Sequence, residues 1–172
     1  QTLREYEGDP RIRIRYLSVN AGISAASNAA LEMAQGEFVA LLDHDDELTP
    51  DALAEVVTHL NARPEADVIY SDEDKLDLAG ARCDPYFKPD WSPDHFLSCM
   101  YTCHFMVIRR SLMASVGGFP DPRLASPLSA SGAYTPSFGT YASLSSRKRI
   151  YSITYSTFIL FLCNLMLHSL AS

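Results

Sequence analysis

Four of the five residues from Asp43 to Glu47 are acids: Asp43, Asp45, Asp46 and Glu47, with His44 between the first two. They follow directly on Phe38-Val-Ala-Leu-Leu42, an apolar run of the kind that forms a strand buried on both faces of a parallel sheet. Like charges this close resist ionising together unless a cation lies among them. Hard carboxylate oxygens favour a divalent metal as that cation. Ligands of open α/β sheets collect at the carboxyl ends of the strands, so these residues point to a metal-assisted site for a phosphate-bearing substrate. A second run, Asp67-Val-Ile-Tyr-Ser71, also ends in acids: Asp72, Glu73 and Asp74. A calcium loop of the EF-hand type is not met, because Leu48 stands where glycine is needed and Ala54 where the bidentate glutamate belongs.

The elements that would position these acids are legible in outline. Thr49-Pro50-Asp51 reads as a helix start, with a capping hydroxyl, a proline at the first helical position and an acid in the first turn. Leu53, Val56, Val57 and Leu60 keep helical spacing to about Ala62. Strand, helix and strand in this order predict a right-handed βαβ unit with adjacent parallel strands, which brings both acidic tips to one rim. Upstream, Ile12, Ile14 and Tyr16 alternate with Arg11, Arg13 and Arg15 in the period of a half-buried or edge strand. Asn20-Ala-Gly22 reads as a turn, and Ser24 as the cap of a helix through about Gln35, with Gly36 just past its end. Ile23, Ala26, Ala30, Met33 and Ala34 give that helix an apolar face of mostly small side chains.

Downstream, Asp77 to Asp84 reads as a turn or small hairpin, and Pro85 to Trp91 as an aromatic loop punctuated by proline. Ser92-Pro93-Asp94 starts a short helix near His95 to Cys99. Phe105, Val107 and Ile108 suggest a strand, Ser111 to Val116 a short helix, and Gly117-Gly118-Phe119 a turn. Lys75 and Lys88 could meet phosphate, but solvent exposure is the ordinary expectation for a lysine. Trp91, near Tyr86 and Phe87, reads as packing first and sugar stacking second. His104 reads first as a satisfied strand histidine and second as a pocket residue.

At 172 residues with 47% apolar content, the chain is long enough for one domain with a core. A formal net charge of −7 argues against nucleic acid as a partner. That average hides a split: all 21 acids lie at or before Asp121, and from Pro122 to Ser172 the charged residues are Arg123, Arg147, Lys148 and Arg149. Residues 122–149 form a Ser-rich, low-complexity segment. Residues 150–172 are largely apolar and follow the basic triplet Arg147-Lys148-Arg149, so their length could span a bilayer with the triplet on the cytoplasmic side, although Asn164, His168 and several hydroxyls make a poor span. Four cysteines without paired metal spacing read as thiols of a reducing compartment, and the polar, charged Gln1 to Pro10 lacks the pattern of a secretory leader.

Several stretches taken together resemble family 2 glycosyltransferases of the GT-A fold. Asn20-Ala-Gly-Ile-Ser-Ala-Ala-Ser-Asn-Ala-Ala-Leu31 is similar to the helix after the family's third strand, and Gly36-Glu-Phe-Val-Ala-Leu-Leu-Asp-His-Asp-Asp-Glu-Leu48 to the segment with its Asp-X-Asp motif. Asp67-Val-Ile-Tyr-Ser-Asp-Glu-Asp-Lys75 and Tyr86-Phe-Lys-Pro-Asp-Trp-Ser-Pro-Asp94 resemble a bacterial subgroup that adds rhamnose or other sugars to surface polysaccharide. Gly117-Gly118-Phe119 resembles the turn before the acceptor-side catalytic segment.

The resemblance implies an α/β, Rossmann-like, mostly parallel sheet over residues 1–121. It implies that Asp43 and Asp45 hold Mg²⁺ or Mn²⁺ against the diphosphate of a nucleotide-sugar donor, with Asp46 on the metal or on donor hydroxyls. Asp72, Asp74, Trp91 and His104 are then expected on the sugar or acceptor side, the acceptor being a glycan or lipid-linked hydroxyl. The expected outcome is inverting transfer in polysaccharide biosynthesis, in the cytoplasm or at the inner face of the membrane. Two departures matter. Nothing before Tyr6 matches the family's first strands, and no acid beyond Asp121 supplies the expected catalytic base. The chain is therefore expected to be an N-terminally truncated piece with a divergent tail. Two alternatives follow: a catalytically incomplete binding fragment, or a metal-dependent nucleotidyltransferase, which would need a glycine-rich phosphate loop that the sequence lacks.

Overall fold

The computed structural model describes residues 2–43, 45–103 and 105–120, and the backbone of 141–144 and 150–152. After a short 3-10 turn at Thr2–Tyr6 the elements run α1 (Ile23–Leu31), β1 (Phe38–Leu41), α2 (Ala52–Ala62), β2 (Val68–Ser71), β3 (Glu73–Leu76), β4 (Arg82–Tyr86), α3 (Pro93–Ser98), β5 (Met106–Arg109), α4 (Arg110–Ser115), β6 (Tyr141–Leu144) and β7 (Ile150–Ser152). The main sheet has the order β1-β5-β2-β6, and a smaller one the order β4-β3-β7.

The expected adjacency of β1 and β2 is corrected by this order. β5 lies between them and runs antiparallel to both, so the pairing is not mostly parallel. β1 and β2 still point the same way. The reason is visible at the base of the sheet, where Arg109 at the end of β5 joins the starts of both strands. Its Nε donates to Asp67 Oδ1 at 2.7 Å, its Nη1 to Glu37, and its Nη2 to the carbonyls of Pro64 and Ala66 at 2.7 and 2.8 Å. The guanidinium also sits 4.5 Å over the Phe38 ring. A planar fork with several donors suits such a junction better than an ammonium.

Both faces of the sheet are covered, which is why its strands read as unbroken apolar runs. On one face Val56 and Leu60 of α2 pack against Phe38, Ala40, Ile69, Phe105 and Val107. On the other, Val39, Val68 and Ile108 meet Met113 of α4, with Leu31 and Ala34 alongside. Two elements differ from expectation. Residues 12–16 form no strand: Ile12 and Ile14 are half-buried between exposed arginines, but the segment joins no ladder. The arginines turn instead to α1, with Arg15 pairing Glu32 at 2.6 Å and Arg13 donating to Gln35 at 2.8 Å. The helix itself stops at Leu31 rather than Gln35, and Gly22, at φ 89°, precedes it in place of Ser24. Ser92 and Pro93 do start α3 as expected.

The serine-rich 122–149 and apolar 150–172 segments lie outside the described residues, apart from the backbones of β6 and β7, which run parallel to β2 and β3. Among the described residues no helix is long and apolar enough to cross a membrane.

The Gly117-Gly118 turn is held by α1. Asn28 donates from Nδ2 to the Phe119 carbonyl and accepts the Phe119 N–H at Oδ1, both at 2.8 Å. Gly118 has φ 77°, and a Cβ there would lie 2.5 Å from Asn28 Oδ1. Asn28→Ala is expected to lower the unfolding free energy by about 1–3 kcal/mol, and Gly118→Ala by at least as much. In urea titrations, Gly118→Ala should cost less in the Asn28→Ala background, because only the backbone strain then remains.

Candidate functional site

The interposed β5 levels the ends of its neighbours. Ala40 and Ile69 both face Val107, and Leu41 and Tyr70 both face Met106. Asp43 and Asp72, each two residues further on, therefore leave the sheet at the same height, about 10 Å apart by ordinary strand spacing. The two acidic strand ends thus lie level, with β5 between them rather than side by side.

On the β1 side the chain turns at once, the Asp46 N–H donating to the Asp43 carbonyl at 3.2 Å. Asp43, Asp45 and Asp46 are half-buried and Glu47 is exposed. Among the described residues no three His, Cys, Asp or Glu side chains gather as a metal cage. Two half-buried carboxylates nevertheless fit a cation of the magnesium type, which takes one or two protein carboxylates and draws other ligands from substrate phosphate and water.

The β2 side is organised around a lysine. Asp72 Oδ1 accepts the Lys88 backbone N–H at 2.8 Å. Lys88 Nζ lies 2.9 Å from Glu73 Oε2 and donates to the Cys103 carbonyl. Its side chain is 1% exposed, which overturns the expectation of a solvent lysine, whereas Lys75 is exposed and pairs with Asp84 at 3.2 Å. Burial pushes the Lys88 ammonium below its ordinary range, and Glu73 opposes that shift. Asp74 is 1% exposed, and its Oδ2 accepts from Arg82 Nε at 3.1 Å.

A β-bulge delivers Lys88 to this place. Glu73 faces Tyr86 and Lys75 faces Cys83, so Asp84 and Pro85 together oppose Asp74. Asp84 has φ 46°, an uncommon backbone state that aspartate tolerates better than most residues. The extra residue bends the strand so that the chain after Tyr86 folds back over the acids.

The two tips act on one spot. Burial pushes the Cys103 thiol up, Lys88 pulls it back, and Asp43 and Glu73 push it further up.

Trp91 is half-buried in an aromatic cluster, 5.0 Å from Phe96 and 6.5 Å from Tyr101, ring centre to ring centre. Tyr101 stacks on His95 at 4.9 Å and meets Tyr70 edge-on at 5.7 Å. Tyr70 donates from its hydroxyl to the Pro89 carbonyl at 2.8 Å, which ties the 87–91 loop to β2. Tyr86 and Phe87 are exposed beside the acids. His104 lies outside the described residues. The sequence names Glu73 only as part of the second acidic run, Lys88 only as a lysine that could meet phosphate, and Cys103 only as an ordinary thiol; their enclosure together is not marked by any residue pattern.

Residues 1–117 match the model of a protein family described as glycosyl transferase family 2. The chain is 47% identical over 122 residues to protein y4gI of Sinorhizobium fredii, covering 70% of this chain and 13% of that protein. It is 45% identical over 115 residues to the O-antigen biosynthesis protein RfbC of Myxococcus xanthus, covering 67% and 9%. It is 50% identical over 52 residues to the putative teichuronic acid biosynthesis glycosyltransferase TuaG of Bacillus subtilis, covering 30% and 21%. The chain thus spans a small part of these relatives' length.

The Asp74–Arg82 pair generates an asymmetric expectation. Arg82→Met strips compensation from a buried carboxylate, whereas Asp74→Asn removes the charge itself. Urea unfolding at neutral pH should find Arg82→Met the more destabilising, by about 1–3 kcal/mol.

Proposed function

Because the chain belongs to the family 2 glycosyl transferases, we propose that it forms the donor-binding part of an enzyme that moves a sugar from a nucleotide-sugar to a hydroxyl of a glycan or lipid-linked acceptor, in the building of bacterial surface polysaccharide. The observation that carries this is the level pair of acidic strand ends around one rim. Asp43 and Asp45 would hold Mg²⁺ or Mn²⁺, with Asp46 on the metal or on donor hydroxyls. Once bound, the ion would neutralise charge that builds on the leaving diphosphate.

Asp72, fixed by the Lys88 N–H, keeps lone pairs that suit a sugar or acceptor hydroxyl. Asp74, paired with Arg82 at 3.1 Å, would serve the same side. Trp91 and His104 would serve the sugar or acceptor side, and the exposed rings of Tyr86 and Phe87 offer further apolar surface for a sugar. An inverting outcome calls for a carboxylate base near the acceptor hydroxyl. The work would be done on the cytoplasmic side, at the inner face of the membrane if residues 150–172 associate with it. A second reading, a unit that binds donor and metal without completing transfer, rests on the absence of any acid from Pro122 to Ser172.

Isothermal calorimetry with UDP and dTDP tests the site. Nucleotide binding is expected to require Mn²⁺ and to weaken by about tenfold or more in Asp45→Ala and Asp43→Ala, about 1.4 kcal/mol or more. Metal-independent binding, or unchanged affinity in both variants, would sink the assignment.

A further inference from the structure

Lys88 has no task in the transfer chemistry, yet it is the most thoroughly enclosed cation at the rim described above. Its side chain is 1% exposed, its Nζ is 2.9 Å from Glu73 Oε2 and donates to the Cys103 carbonyl, and its N–H holds Asp72 at 2.8 Å. A lysine enclosed this fully does not meet a ligand from solvent directly, and enclosure is unfavourable for its charge. It acts on the rim through its field and through the groups that it holds.

We propose that Lys88 is a positioning residue that sets the charge of the rim, offsetting Asp72 and Glu73 so that the space beside Asp43 admits a divalent cation and a diphosphate together. A rim of carboxylates alone would attract the cation and repel the polyanion. One interior cation moves that balance without occupying the space that either ligand needs. Lys88 holds the Cys103 carbonyl, and the Cys103 thiol is pushed up chiefly by burial, with Lys88 opposing that and Asp43 and Glu73 adding to it. One unit of charge about 10 Å away, at an effective dielectric between those of a protein surface and water, shifts affinity by about three- to tenfold. For its ligands the proposal rests on the donor-site reading; for the charge itself it does not.

The test uses the full chain as wild type, Lys88→Met and Glu73→Gln, with three readouts: Mn²⁺ alone by calorimetry, UDP at saturating Mn²⁺, and the alkylation rate of Cys103 at pH 8 resolved by peptide mass. Lys88→Met is expected to bind Mn²⁺ alone about three- to tenfold more tightly, to bind UDP more weakly by a similar factor, and to slow Cys103 alkylation. Glu73→Gln is expected to do the reverse on all three. A lysine that merely holds the fold would weaken both ligands together and speed alkylation by opening the site, and that pattern overturns the proposal. If wild type binds neither Mn²⁺ nor UDP, the donor-site reading fails on its own. The thiol then decides: opposite shifts in the two variants support a charge-setting Lys88, and shifts of the same sign or none refute it.

Discussion

One antiparallel strand laid between two parallel ones fixes where this protein's acids end. β5 pairs residue by residue with both β1 and β2, so neither neighbour can slip without turning its apolar set to the wrong face. Asp43 and Asp72 inherit their common height from that constraint rather than from any contact with each other. The price of the arrangement is a row of carboxylates on a shared edge, and the rest of the site answers it. Arg109 locks the far end of the three strands, and Arg82 and Lys88 meet the acids of the β2 side.

The two sides of the rim are built differently. The β1 side is a tight turn of half-buried acids with little enclosure. The β2 side is a consolidated cluster in which the Asp72, Glu73 and Asp74 carboxylates have assigned partners. The aromatic cluster of Tyr70, Trp91, Phe96 and Tyr101 reinforces the β2 side, because Tyr70 belongs to β2 and reaches the loop that carries Lys88.

Much of this was legible in the chain. Phe38–Leu42 and Asp67–Ser71 announced buried strands by their unbroken apolar character, the helix between them followed from the spacing of Leu53, Val56, Val57 and Leu60, and the acids advertised themselves by crowding. The insertion of β5 was not legible. Phe105 to Ile108 read as a strand, but strand order depends on which edge a returning strand finds free, and here that is set by Arg109 meeting residues 42 to 72 positions earlier. Ile12 to Tyr16 shows the opposite failure: the alternation was real and partly buries the isoleucines, yet periodicity alone does not supply a partner strand. Lys88 was hidden for a third reason, since its burial depends on a bulge that no residue pattern marked.

That bulge separates the hairpin's arm from its tip. The backbone distortion is concentrated at Asp84, whereas the tip closes on itself, with Asp77 Oδ1 accepting the N–H groups of Ala79 and Ala81 at 2.8 Å each and Leu78 standing fully in solvent. The tip is therefore mechanically uncoupled from the rim. Extra residues inserted between Leu78 and Gly80 would lengthen an outboard arm while leaving the lysine and its acids undisturbed, which makes this hairpin a natural place for members of one fold to diverge in size, or for an experimenter to graft a tag or a fluorescent reporter.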